Sequence, residues 1–160
     1  MSGGSWQAFA DALEDENRCL GELGAAALAM TSALVFGSAA QIEAADRSVD
    51  ARRILHAQGH LRRSAMMKSG FGDLSLRAVC GYAPPPLRRA VFTSLRELRV
   101  RGIALKITIA NNKALIGAGL LRIARTIAVM QKNMTEQTGT YHRRGTVAVS
   151  TGSLIVSRKA

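Results

Sequence analysis

Apolar positions in the first third of the chain recur at steps of three and four. Trp6, Phe9, Leu13, Leu20 and Leu23 share one helical face, and the pattern predicts a helix over about Ser5–Val35. Asp11, Glu14, Asp15 and Glu16 lie in its early turns, where the helix dipole favours carboxylates, and they read as a solvated face. Gly37 ends this helix or kinks it. Ser38 and Gln41 have the spacing of a capping box, so a second helix starts there and runs to about Lys68. Its inward face reads as Ile42, Val49, Ile54, Leu55 and Leu61, and its outer face as Arg47, Arg52, Arg53, Arg62 and Arg63.

Ser69–Asp73 is a loop with two glycines. Asp73 is placed to cap a short helix containing Leu74, Leu76 and Val79, which Gly81 stops. Pro84, Pro85 and Pro86 predict a stiff extended connector, because each proline pushes the residue before it out of the helical region. Pro86 suits the first turn of the next helix.

From Leu87 to about Glu136 no proline intervenes. A seam of heptad type runs through Val91, Leu95, Leu98, Leu105, Ile109, Ile116, Ile123, Thr126 and Met130. Gly102 and Gly119 stand on it as expected points of close backbone approach. Asn112 stands where an apolar residue belongs, a substitution that costs stability but fixes register with a partner helix. Leu115, Leu120, Leu121 and Ile127 widen the apolar surface. Fifty helical residues extend roughly 75 Å at ~1.5 Å each. A helix of that length must pack along the other two, along a partner, or both.

Beyond Gln137 the pattern changes. Gly139, Gly145 and Gly152 punctuate a segment rich in Thr, Ser and Val. Val147–Val149 and Leu154–Val156 have the propensity for a weak hairpin, and the preferred reading is a mobile tail that orders on binding. The expected architecture is therefore all-α: an elongated antiparallel three-helix bundle of coiled-coil character over residues 1–136, with a flexible tail over 137–160.

Composition sharpens this picture. Apolar residues make up 48% and aromatics only 4%, which favours helices packed through Leu, Ile and Ala. The formal charge is +11, but it is segregated: residues 1–50 carry eight acids and two bases, residues 51–160 three acids and twenty bases. So basic a surface suits nucleic acid, an anionic membrane or an acidic protein. Cys19 and Cys80 lack metal or redox spacing and read as reduced, buried thiols. The first residues lack the basic region of a signal peptide, so a cytoplasmic protein is expected. Leu23–Ile42 is uncharged, but its small and polar residues and Gly37-Ser38 argue against a span. Lys113, Arg122 and Arg125 argue against one in the last helix. No integral membrane span is expected.

Catalytic chemistry is not suggested. His56 and His60 are one turn apart and could share a metal, but no third ligand stands nearby. Gly117-Ala-Gly119 lies within a helical pattern, where a dinucleotide loop cannot form. No cofactor, metal or catalytic residue is expected. Arg88, Arg89, Arg96, Arg99, Arg101 and Lys106 could track phosphates. Scattered aromatics offer no stacking platform. A basic nucleic-acid-binding protein and a structural coiled-coil oligomer are the alternative readings of the residues.

Certain segments in this order carry a resemblance: GSAAQIEAA from Gly37, LSL from Leu74, PPPLRR from Pro84 into LREL from Leu95, NNKAL from Asn111, and TYHRRG from Thr140. The chain, over about residues 5–145, resembles the FlgN family of flagellar export chaperones. That resemblance implies a cytosolic helical protein that binds hook-associated proteins of the hook–filament junction. It would keep their terminal amphipathic helices from associating early and carry them to the export gate. The cargo contacts it suggests are Leu105, Ile109, Asn112, Leu115, Ile116, Leu120 and Ile123, in a helix-in-groove mode. Tyr141 is the candidate contact with the export gate.

Overall fold

The computed structural model describes the backbone of residues 3–140 and the side chains of residues 5–134. Over these residues the fold is all-α, in the order α1 (Gly3–Phe36), α2 (Ala39–Phe71), α3 (Leu76–Gly81) and α4 (Pro85–Thr140). The chain divides into two compact units, Met1–Ala118 and Gly119–Ala160. The second contributes the last part of α4 to the described residues.

The two-residue link between α1 and α2 is stabilised as its sequence predicts. Ser38 Oγ accepts from the Gln41 amide at 3.4 Å, and Gln41 Oε1 accepts from the Ser38 amide at 2.7 Å. This reciprocal pair satisfies two amides that a helix start otherwise leaves open. α1 and α2 then run antiparallel, since pairs far apart in sequence approach in reverse order: Phe9 with Phe71, Asp15 with Arg62, Glu22 with Arg52. Gly72, at φ 64°, ends α2 in the left-handed region and donates to the Lys68 carbonyl.

Two expectations about the α2–α4 connection are corrected. Ser75, not Asp73, caps α3, its hydroxyl accepting from the Ala78 amide at 3.2 Å. Leu74 consequently lies outside the helix and is exposed. The prolines do not form a separate connector either. α4 begins at Pro85, and the Pro84 carbonyl accepts from the amides of Leu87 and Arg88 at 3.0 and 2.9 Å. The first turn of a helix has no use for its own amide hydrogens, so Pro85 and Pro86 lose nothing there.

The core gathers Trp6, Phe9 and Leu13 of α1, Val79 and Cys80 of α3, Ala83, and Val91 of α4. Phe71 completes an aromatic trio with Trp6 and Phe9, at centroid distances of 4.9 and 5.9 Å in edge-on arrangements. The burial of Leu20, Leu23, Ala27 and Met30 continues this stripe along α1.

α2 departs from the expected inward face. Ile54, Leu55 and Leu61 are exposed, whereas Arg63 is buried. The side of α2 that turns inward carries Ile42, Ala45, Val49, His56, Gly59 and Arg63, each at least half-buried. The steps are still helical, three, four or seven, but the polar residues His56 and Arg63 take two of the six places. A Cβ on Gly59 would lie 3.5 Å from the Glu16 Cα, so Gly59 is a place where α1 and α2 come close. Gly102 and Gly119, expected to serve that purpose in α4, have no neighbouring atom within reach of a Cβ.

Candidate partner-binding surface on the last helix

Within the first unit, α4 lies parallel to α1. Arg101 donates to the Asn17 carbonyl at 3.0 Å, and Asn112 Nδ2 donates to the Ala27 carbonyl at 2.9 Å. Asn17 Nδ2 donates to Glu97 Oε2 at 2.8 Å. The sequence offset is nearly the same at Arg101 and Asn112, so the two helices keep one register over this length.

Asn112 is the sharpest of these contacts. It is 8% exposed, and its amide oxygen accepts from the Thr31 hydroxyl at 2.7 Å. Its donor and its acceptor are thus both engaged with α1. The register role anticipated for this asparagine is filled within the chain. Leu105 is half-buried on the same side.

The other proposed cargo contacts stand differently. Ile109, Leu115 and Ile116 are exposed within the first unit, at 51%, 36% and 42%. Leu120 and Ile123, in the second unit, are exposed as well. Every described side chain from Lys113 to Met134 is exposed. Each large apolar side chain left in water forgoes roughly 1.5–3 kcal/mol of burial. The surface presented by α4 is therefore one a partner helix could cover with gain. Tyr141 and the Val147–Val156 hairpin segments lie outside the described residues.

The most buried polar cluster was not anticipated. Glu16 is 2% exposed and accepts from Arg63 Nε in a short contact and from Arg63 Nη2 at 3.3 Å. His60 Nδ1 lies 2.9 Å from Glu16 Oε1. The same ring nitrogen lies 3.1 Å from Arg63 Nη2, so Glu16, His60 and Arg63 form one polar cluster. Arg63 also reaches the Met67 sulfur at 3.0 Å. Burial alone would raise the Glu16 carboxyl. The hydrogen bonds from Arg63 and His60, with the charge of Arg63, outweigh it and hold the group below its ordinary value. Both guanidinium and carboxylate are satisfied by one another, which is what permits two buried charges.

The signal for Glu16 was present in the spacing. Trp6, Phe9, Leu13, Glu16, Leu20, Leu23, Ala27 and Met30 step by three and four without a break. Glu16 occupies an inward position of α1 and needed a partner there. His56 and His60 stack at 6.5 Å between ring centroids, but among the described residues no third His, Cys, Asp or Glu joins them to form a metal-binding group. Both cysteines are free thiols. Burial pushes the Cys80 thiol up, against the pull of Arg63, so it behaves as an inert core residue.

Two helices, over Ser5–Phe36 and Pro85–Met134, are long and apolar enough to cross a membrane by length and composition. The core helix of a soluble protein passes the same test, and α1 carries much of the core. In α4 none of the apolar window is buried, and the interruptions at Lys113, Arg122 and Arg125 do not remove it from this class.

The chain matches no known protein-family model, no curated protein and no solved structure.

Proposed function

We propose that this chain is an export chaperone of the flagellar type, acting in the cytoplasm. It binds the amphipathic terminal helices of hook–filament junction proteins, prevents their early association and delivers them to the export gate. One observation carries this reading: α4 leaves large apolar side chains exposed, Ile109, Leu115 and Ile116 in the first unit and, in the second taken by itself, Leu120 and Ile123. An amphipathic helix laid against them is the mode of recognition such a face supports. Asn112 and Leu105 then serve the chain's own α1–α4 contact rather than the cargo directly. Nothing in this role calls for a cofactor or a catalytic group.

The test is capture. Ile116→Asp places a charge on the surface without disturbing a buried contact. Capture of a purified hook-associated protein should be lost while far-UV helicity stays at the wild-type level. Unchanged capture rejects the assignment.

A second reading has an observation of its own. α4 carries ten bases and two acids along its length. A nucleic-acid-binding role predicts retardation of duplex or single-stranded nucleic acid that weakens steeply with salt. No retardation at low salt removes it. If α4 instead pairs with itself, light scattering of the cargo-free protein should give twice the monomer mass.

A further inference from the structure

α4 has a second exposed face, distinct from the surface assigned above to cargo. Within the first unit, the residues that turn toward α1 include Val91, Leu98, Leu105 and Asn112. At 100° per residue, the opposite side of the helix carries Phe92, Val100, Ile103 and Ile107. Their exposures are 43%, 59%, 55% and 57%. Four large apolar side chains in one short stretch thus point away from the bundle.

The bases are interleaved with them. Arg89, Arg96, Arg99 and Lys106 are all exposed on this same side. The single acid nearby, Glu97, is held by Asn17 and Arg101 on the flank. A depression of about 300 Å³, lined by Thr93, Arg96, Glu97, Val100 and Arg101, opens along the edge. The Glu97 carboxylate in it is engaged by Asn17 and Arg101, which leaves Arg96 as the base there for an anionic headgroup.

We infer that the Phe92–Ile107 face of α4 docks onto an anionic lipid surface. A helix with apolar residues inserted among the headgroups and arginines at its margins lies in the interface plane. Long basic side chains lay their stems on the apolar surface and keep their charges at the phosphates. Nucleic acid would use the four bases but leave Phe92, Val100, Ile103 and Ile107 in water. This docking needs no cargo, because it uses a different side of the helix.

The experiment is flotation of the full chain with vesicles of phosphatidylcholine, and with the same vesicles containing phosphatidylglycerol. Each base near an anionic surface contributes about 1 kcal/mol, so four predict binding roughly 1000-fold tighter to the anionic vesicles. Ile103→Asp should release the protein from them. Ile54→Asp, an exposed apolar position on α2, should not. Circular dichroism checks that both variants are folded. Phe92→Trp gives an independent readout: its emission should shift to shorter wavelength on anionic vesicles. Equal partition into both vesicle types, or full binding by Ile103→Asp, overturns the inference. So does retention of the chain on duplex DNA, dependent on Arg96 and Arg99, without vesicle binding.

Discussion

Two residues decide how α1 holds its neighbours, and each makes a measurable prediction. Glu16 ionises more readily in the folded chain than in the unfolded one, because Arg63 and His60 stabilise its charge. Below its ordinary value the unfolded chain therefore binds the extra proton. Its contribution to stability is full above about pH 4.5 and is lost as the pH falls through the lower folded value. Urea unfolding followed from pH 6 downward should show this acid limb. Glu16→Gln should flatten it and cost about 3–5 kcal/mol near neutrality, since Arg63 is left buried and unpaired. Replacing both, as Glu16→Leu with Arg63→Met, should recover most of that loss. Asn112 is a milder case. Asn112→Ala removes its bonds to Ala27 and Thr31 and should lower stability by about 1–2 kcal/mol. An unchanged urea midpoint would show that the polar contact on this seam contributes nothing.

Elements were more legible than the faces they bury. The start of α2 followed from Ser38 and Gln41, because a capping box is a local device whose parts lie within one turn. The long final helix followed from an uninterrupted seam. The inward face of α2 did not, since Arg63 and His56 are of types that normally face water. Glu16, the partner of Arg63, is more than forty residues away. A chain read alone shows periodicity but not what covers each face. The same gap explains the glycines. Gly102 lies on the α4 seam yet has open space at its Cβ position, whereas a Cβ on Gly21 of α1 would collide with Arg101. Gly102→Ala should thus raise stability by about 0.5–1 kcal/mol through helix propensity alone. Gly21→Ala should gain less, because Arg101 must give up its bond to the Asn17 carbonyl. A larger rise of the urea midpoint at Gly102 than at Gly21 tests the pair. A loss at Gly102 would restore the close-approach role that its seam position suggests.

At the scale of the whole molecule, stability and partner binding are predicted to reside in different stretches. All the buried apolar side chains among the described residues lie between Trp6 and Val91, and Asn112 is the last buried side chain of α4. The contacts of Asn17, Ala27 and Thr31 of α1 with α4 fall at or before that asparagine. The described side chains of the second unit, from Gly119 to Met134, are exposed without exception. An exposed apolar stretch is unfavourable to a protein on its own, so its persistence over several turns is better accounted for by binding than by folding. A chain ending at Ala118 should accordingly keep its cooperative thermal transition. It removes no described buried contact, so the loss should stay under ~1 kcal/mol, a shift of less than about 5 °C. Capture of a hook-associated protein should fall much further than stability, because Leu120 and Ile123 are gone while Asn112 and the core remain. The vesicle-docking face, which ends at Ile107, should be untouched, and flotation should be unchanged. A collapse of the thermal transition on truncation would show that residues beyond Ala118 help to build the core, and the division between a folding part and a binding part would fail with it.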